Sequence, residues 1–432
     1  MNNKEPIVVV GAGPAGLFAA IAAAQAGAQV VVVEQLDKPG VKLLATGGGR
    51  CNVTNLREAG EFMARLGRQG RFLQDALAAM DSRGVVTLLA ELDVPTCTDG
   101  PRVYPTSHSA QTVQQALVRR AQELGVHVCL QTVVTDVAPP GASPSEGAPP
   151  SFMVSLSRDG RVESTRARAV IVATGGRSYA KLGGTGGGYE LARRLGHTVT
   201  PLTPALVGLV TREDWVRTLA GVSLSARVNV MAKGAARVGV RGDVLFTHHG
   251  LSGPTVLDIS GDVAERLAER KEVPLALDVT PVPGEPPSSP AANHAFWMRE
   301  FSRWQSSDGT KAVTTVLAHH LPARLTSVLC EQAGVDGRTV CAHLPGDARR
   351  RLASTLSALP LTTVATDGWE KAMVTRGGVS LKQINPCTLG SRLVAGLYFA
   401  GEVLDLDGPS GGFNLQIAFS TGHLAGLSAA TR

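Results

Sequence analysis

The pattern of apolar and polar positions divides this chain into two kinds of region. Residues 7–10 are apolar at every position, as is typical of a strand buried on both faces of a parallel sheet. An alanine-rich helix is expected from about Pro14 to Gln25, followed by a second apolar strand over residues 28–33. Further continuous apolar runs lie at residues 169–173 and 397–400. This order of strands and helices predicts an α/β fold built on a parallel sheet.

The middle of the chain has a different pattern. From about residue 198 it contains short strand-like runs, such as residues 226–232 and 238–246, which predict a β-rich domain inserted into the first. A segment rich in Pro and Ser, residues 281–293, predicts a linker, and the pattern after it is mainly helical. We therefore expect a first domain, a β-rich inserted domain, a helical inserted domain and a return to the first domain, at residues 1–195, 196–280, 281–358 and 359–432.

A glycine motif joins the first predicted strand to the first predicted helix. Gly11, Gly13 and Gly16 form G-x-G-x-x-G, and Glu34 stands at the tip of the second strand. Such glycines allow a tight turn, the approach of a pyrophosphate to the backbone and close packing of helix and strand, while the acid binds a ribose. The sequence therefore predicts a dinucleotide site, with these candidate binding residues: Gly11, Gly13, Pro14, Ala15, Gly16 and Glu34.

Composition and charge narrow the range of functions. The chain has 432 residues, which suits two or three domains, and 44% of them are apolar, which is enough for sizeable cores. The net charge of +6 is modest, and no basic run is interleaved with aromatic residues, so no nucleic-acid partner is expected. The six cysteines show no C-x-x-C spacing, so we expect neither a metal site nor a disulfide framework. We also find no targeting segment or membrane-spanning stretch, and therefore expect a cytoplasmic protein.

Glycine-containing segments recur at the ends of predicted strands far apart in the chain. They lie at residues 11–16, 47–52, 174–176 and 401–414. Because ligands of open α/β sheets sit beyond the carboxyl ends of the strands, these segments are expected to converge on one ligand. A nicotinamide dinucleotide alone would not need a contact from the C-terminal end, whereas the longer FAD would. Gly401 and Glu402 would then meet the ribityl chain, and the helix that opens near Asn414 would face the flavin.

These motifs resemble a family of bacterial flavoproteins that includes aminoacetone oxidases and NAD(P)-dependent reductases of 3-oxo-bile-acid double bonds. The matching blocks span nearly the whole chain: ATGGGRCNVTN at 45–55, GTGGGYELAR at 184–193, LFTHHGLSGP at 245–254, GGVSLKQINP at 377–386, GLYFAGEVLD at 396–405 and GGFNLQ at 411–416. The resemblance implies a Rossmann-like FAD-binding domain of the two-dinucleotide-binding type. That domain is built from both chain ends and carries a β-rich and a helical insertion.

The resemblance also implies further cofactor-binding residues. It places Val134 at the adenine, Thr174 and Gly175 at a pyrophosphate-side turn, and these at the second FAD segment and the flavin end: Lys42, Arg50, Cys51, Asn52, Gly401, Glu402, Gly412, Phe413, Asn414 and Leu415. Two positions depart from the family pattern. His249 stands where Tyr is commoner, and Arg376 stands where a small residue is usual, so the substrate need not be the family's.

The expected activity is that of an FAD-dependent oxidoreductase. The resemblance favours reduction of an activated carbon–carbon double bond in a hydrophobic ketone, with NADH or NADPH as reductant. Candidates for the proton donor are His248, His249 and Tyr104, and a histidine is suited because it exchanges a proton near working pH. An amine oxidase that uses O₂ is the alternative enzyme. A flavin-binding redox sensor, or an accessory protein of RNA modification, is the alternative without turnover. The oligomeric state is left open.

Overall fold

A computed structural model describes residues 5–140, 151–232, 239–281 and 289–431 of the chain. The chain forms two compact units. The first unit comprises residues 1–202 and 373–432, and the inserted unit comprises residues 203–372. The predicted linker at 281–293 and the predicted strand at 238–246 fall partly outside the described residues.

The first unit is built on a five-stranded parallel sheet. Its strands, in spatial order, are β19 (Leu397–Phe399), β10 (Ala169–Val172), β1 (Ile7–Val10), β2 (Val30–Val33) and β6 (His127–Cys129). The central strands β1 and β10 are buried along their whole length, which explains why their sequences are apolar without alternation. This is the Rossmann-like α/β arrangement that the sequence predicts, with β19 supplied by the C-terminal end of the chain.

Helices and two small sheets complete the first unit. The helices are α1 (Pro14–Gln25), α2 (Val41–Leu44), α3 (Ala59–Arg65), α4 (Gln74–Ala79), α5 (Ser82–Glu91), α6 (Ala110–Glu123), α7 (Gly187–Arg194) and α13 (Phe413–Ala430). The small antiparallel sheets contain β3 (Thr54–Asn55), β4 (Thr96–Asp99) and β5 (Arg102–Pro105), and β7 (Val133–Ala138), β8 (Phe152–Arg158) and β9 (Arg161–Ala167). A short strand, β18 (Val374–Arg376), opens the return of the chain to this unit.

The inserted unit contains a closed six-stranded barrel. Its strands, in spatial order, are β12 (Leu209–Thr211), β15 (Gly250–Ser252), β14 (Val240–Phe246), β13 (Ser223–Val230), β16 (Val273–Asp278) and β17 (Leu359–Thr366). Its remaining elements are β11 (Thr203–Ala205), α8 (Pro254–Glu269), α9 (Pro290–Ser307), α10 (Val313–Leu317), α11 (Ala323–Gln332) and α12 (Gly346–Ser357).

The observed division of the chain differs from the expected one in two ways. The predicted return to the first domain at 359 is too early, because β17 pairs with β12 and β16 and closes the barrel. The helical segment also shares one hydrophobic core with the barrel. Trp297 of α9 and Leu352 of α12 lie in the same buried cluster as the barrel residue Phe246. The insertion is therefore one unit and not two.

Packing of α1 against α13 joins the two ends of the chain. A Cβ atom on Gly422 would lie 2.3 Å from the carbonyl oxygen of Ala15, and one on Gly426 would lie 2.2 Å from that of Ala19. Phe18 also stacks on Phe419, with ring centroids 4.2 Å apart. These separations leave no space for a side chain at either glycine, so the helices are in direct backbone contact.

We predict opposite effects for two helical glycines. Gly422→Ala should lower the free energy of unfolding by about 1–3 kcal/mol, because its methyl group would overlap the Ala15 carbonyl. Gly60→Ala, in α3, is the matched control and should raise the free energy of unfolding. No atom lies within 4 Å of its added methyl, and alanine favours helices. Urea unfolding of both variants checks this. An unchanged midpoint for Gly422→Ala would contradict the close contact.

Candidate functional site

A cavity of about 250 Å³ lies at the carboxyl ends of the sheet strands of the first unit. The segments that follow all five strands contribute to its walls, as expected for the ligand site of an open α/β sheet. Of the residues proposed from sequence, these line it: Gly11, Gly13, Pro14, Ala15, Glu34, Lys42, Val134, Thr174, Gly175, Glu402, Asn414 and Leu415. The candidates Gly16, Arg50, Cys51, Asn52, Gly401, Gly412, Phe413, Tyr104, His248 and His249 do not.

The turn between β1 and α1 is shaped to receive a pyrophosphate. Gly11 has φ +99°, and a Cβ atom on it would lie 2.7 Å from the carbonyl oxygen of Ala173. A Cβ atom on Gly16 would lie 1.9 Å from the carbonyl oxygen of Gly11, so this glycine serves packing behind the cavity. Gly13 caps α1 without a side chain, which leaves the first-turn amide groups available at the cavity wall. These features suit a bound anion at the positive end of the helix.

Glu34 closes the cavity beside the first turn. Its side chain is buried, and its two carboxylate oxygens accept hydrogen bonds from the backbone N–H groups of Ala12 (2.7 Å) and Leu36 (3.0 Å). Each oxygen has a further lone pair, which can accept a ribose hydroxyl. Val134 also lines the cavity, two residues after Thr132, whose backbone N–H donates to the Glu34 carbonyl (2.9 Å). The carboxylate acceptor and the glycine turn therefore fit the adenosine half of a dinucleotide.

A network of charged and polar groups lies at another part of the cavity wall. The Lys42 ammonium group donates to Glu402 (2.7 Å) and to the hydroxyl of Ser178 (2.8 Å). The second carboxylate oxygen of Glu402 accepts from the backbone N–H of Thr375 (2.8 Å) and from Ser178 (3.2 Å). A Cβ atom on Gly176 would lie 2.3 Å from that oxygen, so the network needs glycine there. Three distant segments thus meet through one carboxylate.

The start of α13 is held by the residues of the 45–55 motif. The Asn52 amide accepts from the Gly412 N–H (3.2 Å) when its nitrogen faces the carbonyl oxygens of Thr54 and Val103. Gly412 has φ +95°, and a Cβ atom on it would lie 2.4 Å from the Thr54 carbonyl oxygen. Asn52 and Gly412 therefore position the helix from behind the cavity wall.

Asn414 lines the cavity in the first turn of α13, and its side chain bonds to the preceding loop. Its side-chain amide accepts from the Gly408 N–H (2.9 Å) and donates to the Gly408 carbonyl (2.8 Å), which fixes the loop before α13. Phe413 stacks on Phe62, with ring centroids 4.6 Å apart. Together with Leu415, Asn414 brings the first turn of α13 to the cavity, where its amides suit the electron-rich edge of a flavin.

Cys51 and Arg50 lie outside the cavity. The Cys51 side chain is fully buried, and burial raises the pKa of its thiol to about 11. A thiol with so high a pKa is a poor nucleophile, so Cys51 is a packing residue. Arg50 is exposed, and its guanidinium carbon lies 5.5 Å from the ring centroid of Tyr104. Gly401 has φ +75° and supports the turn after β19, where a Cβ atom would lie 2.7 Å from that of Ala15.

The two histidine candidates belong to the inserted unit. His248 and His249 are exposed in the turn between β14 and β15. The hydroxyl of Thr247 holds this turn by accepting from the backbone N–H of Gly250 (3.1 Å). The structure thus places Tyr104 in the first unit and both histidines in the other, and it brings none of the three to the cavity wall.

Sequence reasoning missed Ser178 and Thr375, which bind Glu402. Ser178 lies in the loop after β10 and Thr375 in the short strand β18, at no spacing that marks a known motif, and only the fold brings them together. In the part of the chain that the structure describes, no group of three His, Cys, Asp or Glu side chains could hold a metal ion. None of the described helices is both long enough and apolar enough to cross a membrane.

We predict that Glu34→Ala weakens FAD binding roughly ten- to a hundredfold, a loss of about 1.5–3 kcal/mol for bonds to a charged acceptor. The substitution removes both the ribose acceptor and the bond that fixes the Ala12 N–H. Fluorescence titration of the apoprotein with FAD measures the affinity. Glu91→Ala, an exposed residue of α5, is the control. An unchanged affinity for Glu34→Ala would remove Glu34 from the site.

A second prediction concerns thiol reactivity. Cys387 is exposed, whereas Cys51 is buried with its thiol pKa raised to about 11. Iodoacetamide at pH 8 should therefore alkylate Cys387 in the native protein and Cys51 only after unfolding. The neighbouring Asp75 raises the pKa of the Cys387 thiol, so this reaction should be slower than that of a free cysteine. Peptide mass spectrometry follows both sites. Rapid native alkylation of Cys51 would show that it is accessible.

Comparisons with known proteins identify the family of this chain. The family described as HI0933-like protein Rossmann domain matches residues 5–428. The chain is 32% identical over 432 residues to a 3-dehydro-bile acid delta(4,6)-reductase of Clostridium scindens, covering 99% of each chain. It is 30% identical over 430 residues to a ribosomal RNA dihydrouridine synthase of Haemophilus influenzae, again covering 99% of each.

A solved structure shows the same fold at low sequence identity. The 3-ketosteroid delta1-dehydrogenase of Sterolibacterium denitrificans aligns with a TM-score of 0.55 and 15% identity, and the alignment covers 100% of both chains. The fold, the cavity and the full-length relatives lead to one conclusion. The chain belongs to the HI0933-like family and is an FAD-dependent oxidoreductase.

Proposed function

We propose that this chain reduces a carbon–carbon double bond conjugated to a carbonyl group in a hydrophobic ketone, with NADH or NADPH as the source of hydride. The observation that carries the proposal is a common feature of two full-length relatives. One is named as a delta(4,6)-reductase of a 3-dehydro bile acid, and the other as a dihydrouridine synthase. Both names describe saturation of a double bond next to a carbonyl, and this shared step supports the same activity for this member of the family.

We assign cofactor binding and proton donation to residues of this chain. Bound FAD supplies hydride transfer. Glu34 and the β1–α1 turn hold the adenosine half, and the Lys42–Glu402 pair and the start of α13 hold the other half. Reduction of a conjugated double bond also needs a proton at the carbon nearer the carbonyl. His248 remains our proposed donor, with His249 and Tyr104 as the other candidates.

A second candidate is the same reduction on a uracil base in ribosomal RNA. It is favoured by the dihydrouridine synthase of Haemophilus influenzae, which is 30% identical over 99% of each chain. The modest net charge of +6, and the absence from the sequence of basic runs interleaved with aromatics, favour the small ketone instead. The amine-oxidase hypothesis predicts that an amine, and not NADH or NADPH, reduces the protein.

We predict that NADH or NADPH bleaches the visible absorbance of the purified holoprotein without any partner. Addition of an enone such as a 3-oxo-4-ene steroid acid should then restore it, and stopped-flow absorbance separates these two half-reactions. Bleaching by an amine alone would support the oxidase. Turnover only on uridine in ribosomal RNA would support the second candidate. Bleaching by none of these reagents would leave a flavin-binding protein without turnover and overturn the proposal.

The proton donor is tested in the same experiment. His248→Ala should slow the restoration step by about 10²–10⁴-fold, the usual contribution of a positioned acid, and leave bleaching by NADH or NADPH unchanged. Tyr104→Phe and His249→Ala test the other two candidates. His127→Ala, an exposed histidine at the edge strand β6, is the control. A wild-type restoration rate for His248→Ala would make His248 structural.

A further inference from the structure

Two exposed arginines stand beside one end of the cofactor cavity and do not line it. They are Arg50, which follows the cavity-lining residue Thr46 by four positions, and Arg102 of β5. We propose that Arg50 and Arg102 bind the phosphate groups of the nicotinamide dinucleotide that reduces the protein. This inference rests on the proposed function, because it requires NADH or NADPH as the reductant.

The two side chains share one surface. Arg102 and Tyr104 are two residues apart on β5, so they lie on the same face of that strand. The Arg50 guanidinium carbon lies 5.5 Å from the centre of the Tyr104 ring. Arg102 extends toward α13, and its Nε lies 3.4 Å from the point where a Cβ atom on Gly411 would stand. The arginines therefore adjoin both the 45–55 motif and the start of α13.

This surface is at the end of the cavity away from the adenosine. Glu34 and Val134 mark the adenosine end, and the β1–α1 turn takes the pyrophosphate of FAD. Thr46, Leu406 and Leu415 also line the cavity, and the proposed function assigns the flavin ring to this part of it, at the start of α13. On this assignment Arg50 and Arg102, which adjoin the 45–55 motif and the start of α13, lie beside the ring. They are therefore available to a second ligand that approaches the ring.

The charges of the pair are not neutralised by neighbouring carboxylates. Neither arginine forms an ion pair with a described residue, and the Arg50 side chain donates one hydrogen bond within the described residues, from Nε to the Gly47 carbonyl at 3.4 Å. Other arginines nearby are paired, as Arg57 is with Glu61. Exposed arginines without a carboxylate partner occur elsewhere in the unit, so the position beside the flavin end distinguishes these two.

Glycines keep the backbone beside the pair open. Gly47, Gly48 and Gly49 all have positive φ, and no atom lies within 4 Å of the point where a Cβ on Gly48 would stand. The exposed backbone of the motif therefore leaves space above it, with Arg50 at one side. A dinucleotide can lie on such a surface because no side chain blocks its approach.

The chemistry of the pair suits phosphate groups. A guanidinium presents a planar fork of donors that binds phosphate oxygens in pairs. NADH carries a pyrophosphate, and NADPH carries an additional phosphate, so either reductant brings the required negative charge. A carboxylate on the ketone or a phosphodiester of RNA offers similar oxygens. We choose the nicotinamide dinucleotide because the proposed reaction always needs it, whereas it does not need a charged ketone.

The experiment compares hydride donors that differ in their phosphates. Holoprotein is mixed in the stopped flow with NADH, with NADPH and with 1-benzyl-1,4-dihydronicotinamide, which carries no phosphate. Arg50→Gln and Arg102→Gln should each raise the apparent Kd of the better dinucleotide by roughly tenfold, and the double variant by about a hundredfold. The rate with the phosphate-free donor should not change. Arg50→Lys should recover part of the affinity.

Binding and control measurements complete the test. Calorimetry with NAD⁺ or NADP⁺ should show the same losses without turnover, and the FAD content of each variant should match wild type. Arg161→Gln, an exposed arginine of β9 away from the cavity, is the matched control and should behave as wild type.

Each other outcome overturns the inference in a recognisable way. Wild-type affinity of the double variant for both dinucleotides would refute phosphate binding by the two arginines. It would leave the proposed function intact. Slower reduction by the phosphate-free donor would place the arginines on the flavin instead. Slower oxidation by a carboxylated enone or by RNA, with normal reduction, would assign them to the substrate. A wild-type protein reduced by the phosphate-free donor, and by neither dinucleotide, refutes the proposed function together with this inference.

Discussion

The backbone contact between α1 and α13 is the interaction on which the cofactor cavity depends. It joins the first helix of the chain to the last, because Gly422 and Gly426 admit the carbonyl oxygens of Ala15 and Ala19. α1 begins directly after β1, so its N-terminus is fixed at the carboxyl edge of the sheet. The contact brings the N-terminus of α13 to the same edge. Two positive helix ends thus face one cavity, which suits an anionic cofactor with an electron-rich ring.

Two carboxylates in this cavity would repel an anionic cofactor if their charge were left uncompensated. The protein compensates each one differently. Glu34 accepts hydrogen bonds from two backbone N–H groups, which spread its charge over the turn proposed for the pyrophosphate. Glu402 is paired with the Lys42 ammonium group and with the Thr375 N–H. Glu34 therefore keeps lone pairs for hydroxyl groups. Glu402 uses its oxygens mainly to bind Lys42 and Ser178, and so it connects them to the segment after β19.

The sequence predicts those parts of the fold whose causes are local. The apolar run of β1, the glycines after it and Glu34 are close in sequence, so their geometry follows from a few adjacent residues. The predicted domain boundary at residue 359 was wrong for a different reason. The strand β17 has an ordinary strand pattern, and only its pairing with β12 and β16 assigns it to the barrel. Ser178 could not be found either, because its partners Lys42 and Glu402 are 136 and 224 residues away along the chain.

The 45–55 motif shows why a resemblance identifies the right segment but not the role of each residue. Three of its side chains hold the start of α13, and of its eleven residues Thr46 alone lines the cavity. Asn55 donates to the Gly411 carbonyl (2.9 Å), Thr54 donates to Gln416 (2.5 Å), and Asn52 accepts from the Gly412 N–H. A helix end held at three points can keep its amides at a fixed distance from a ring that changes charge on reduction. This constraint explains why the motif is so specific although few of its residues line the cavity.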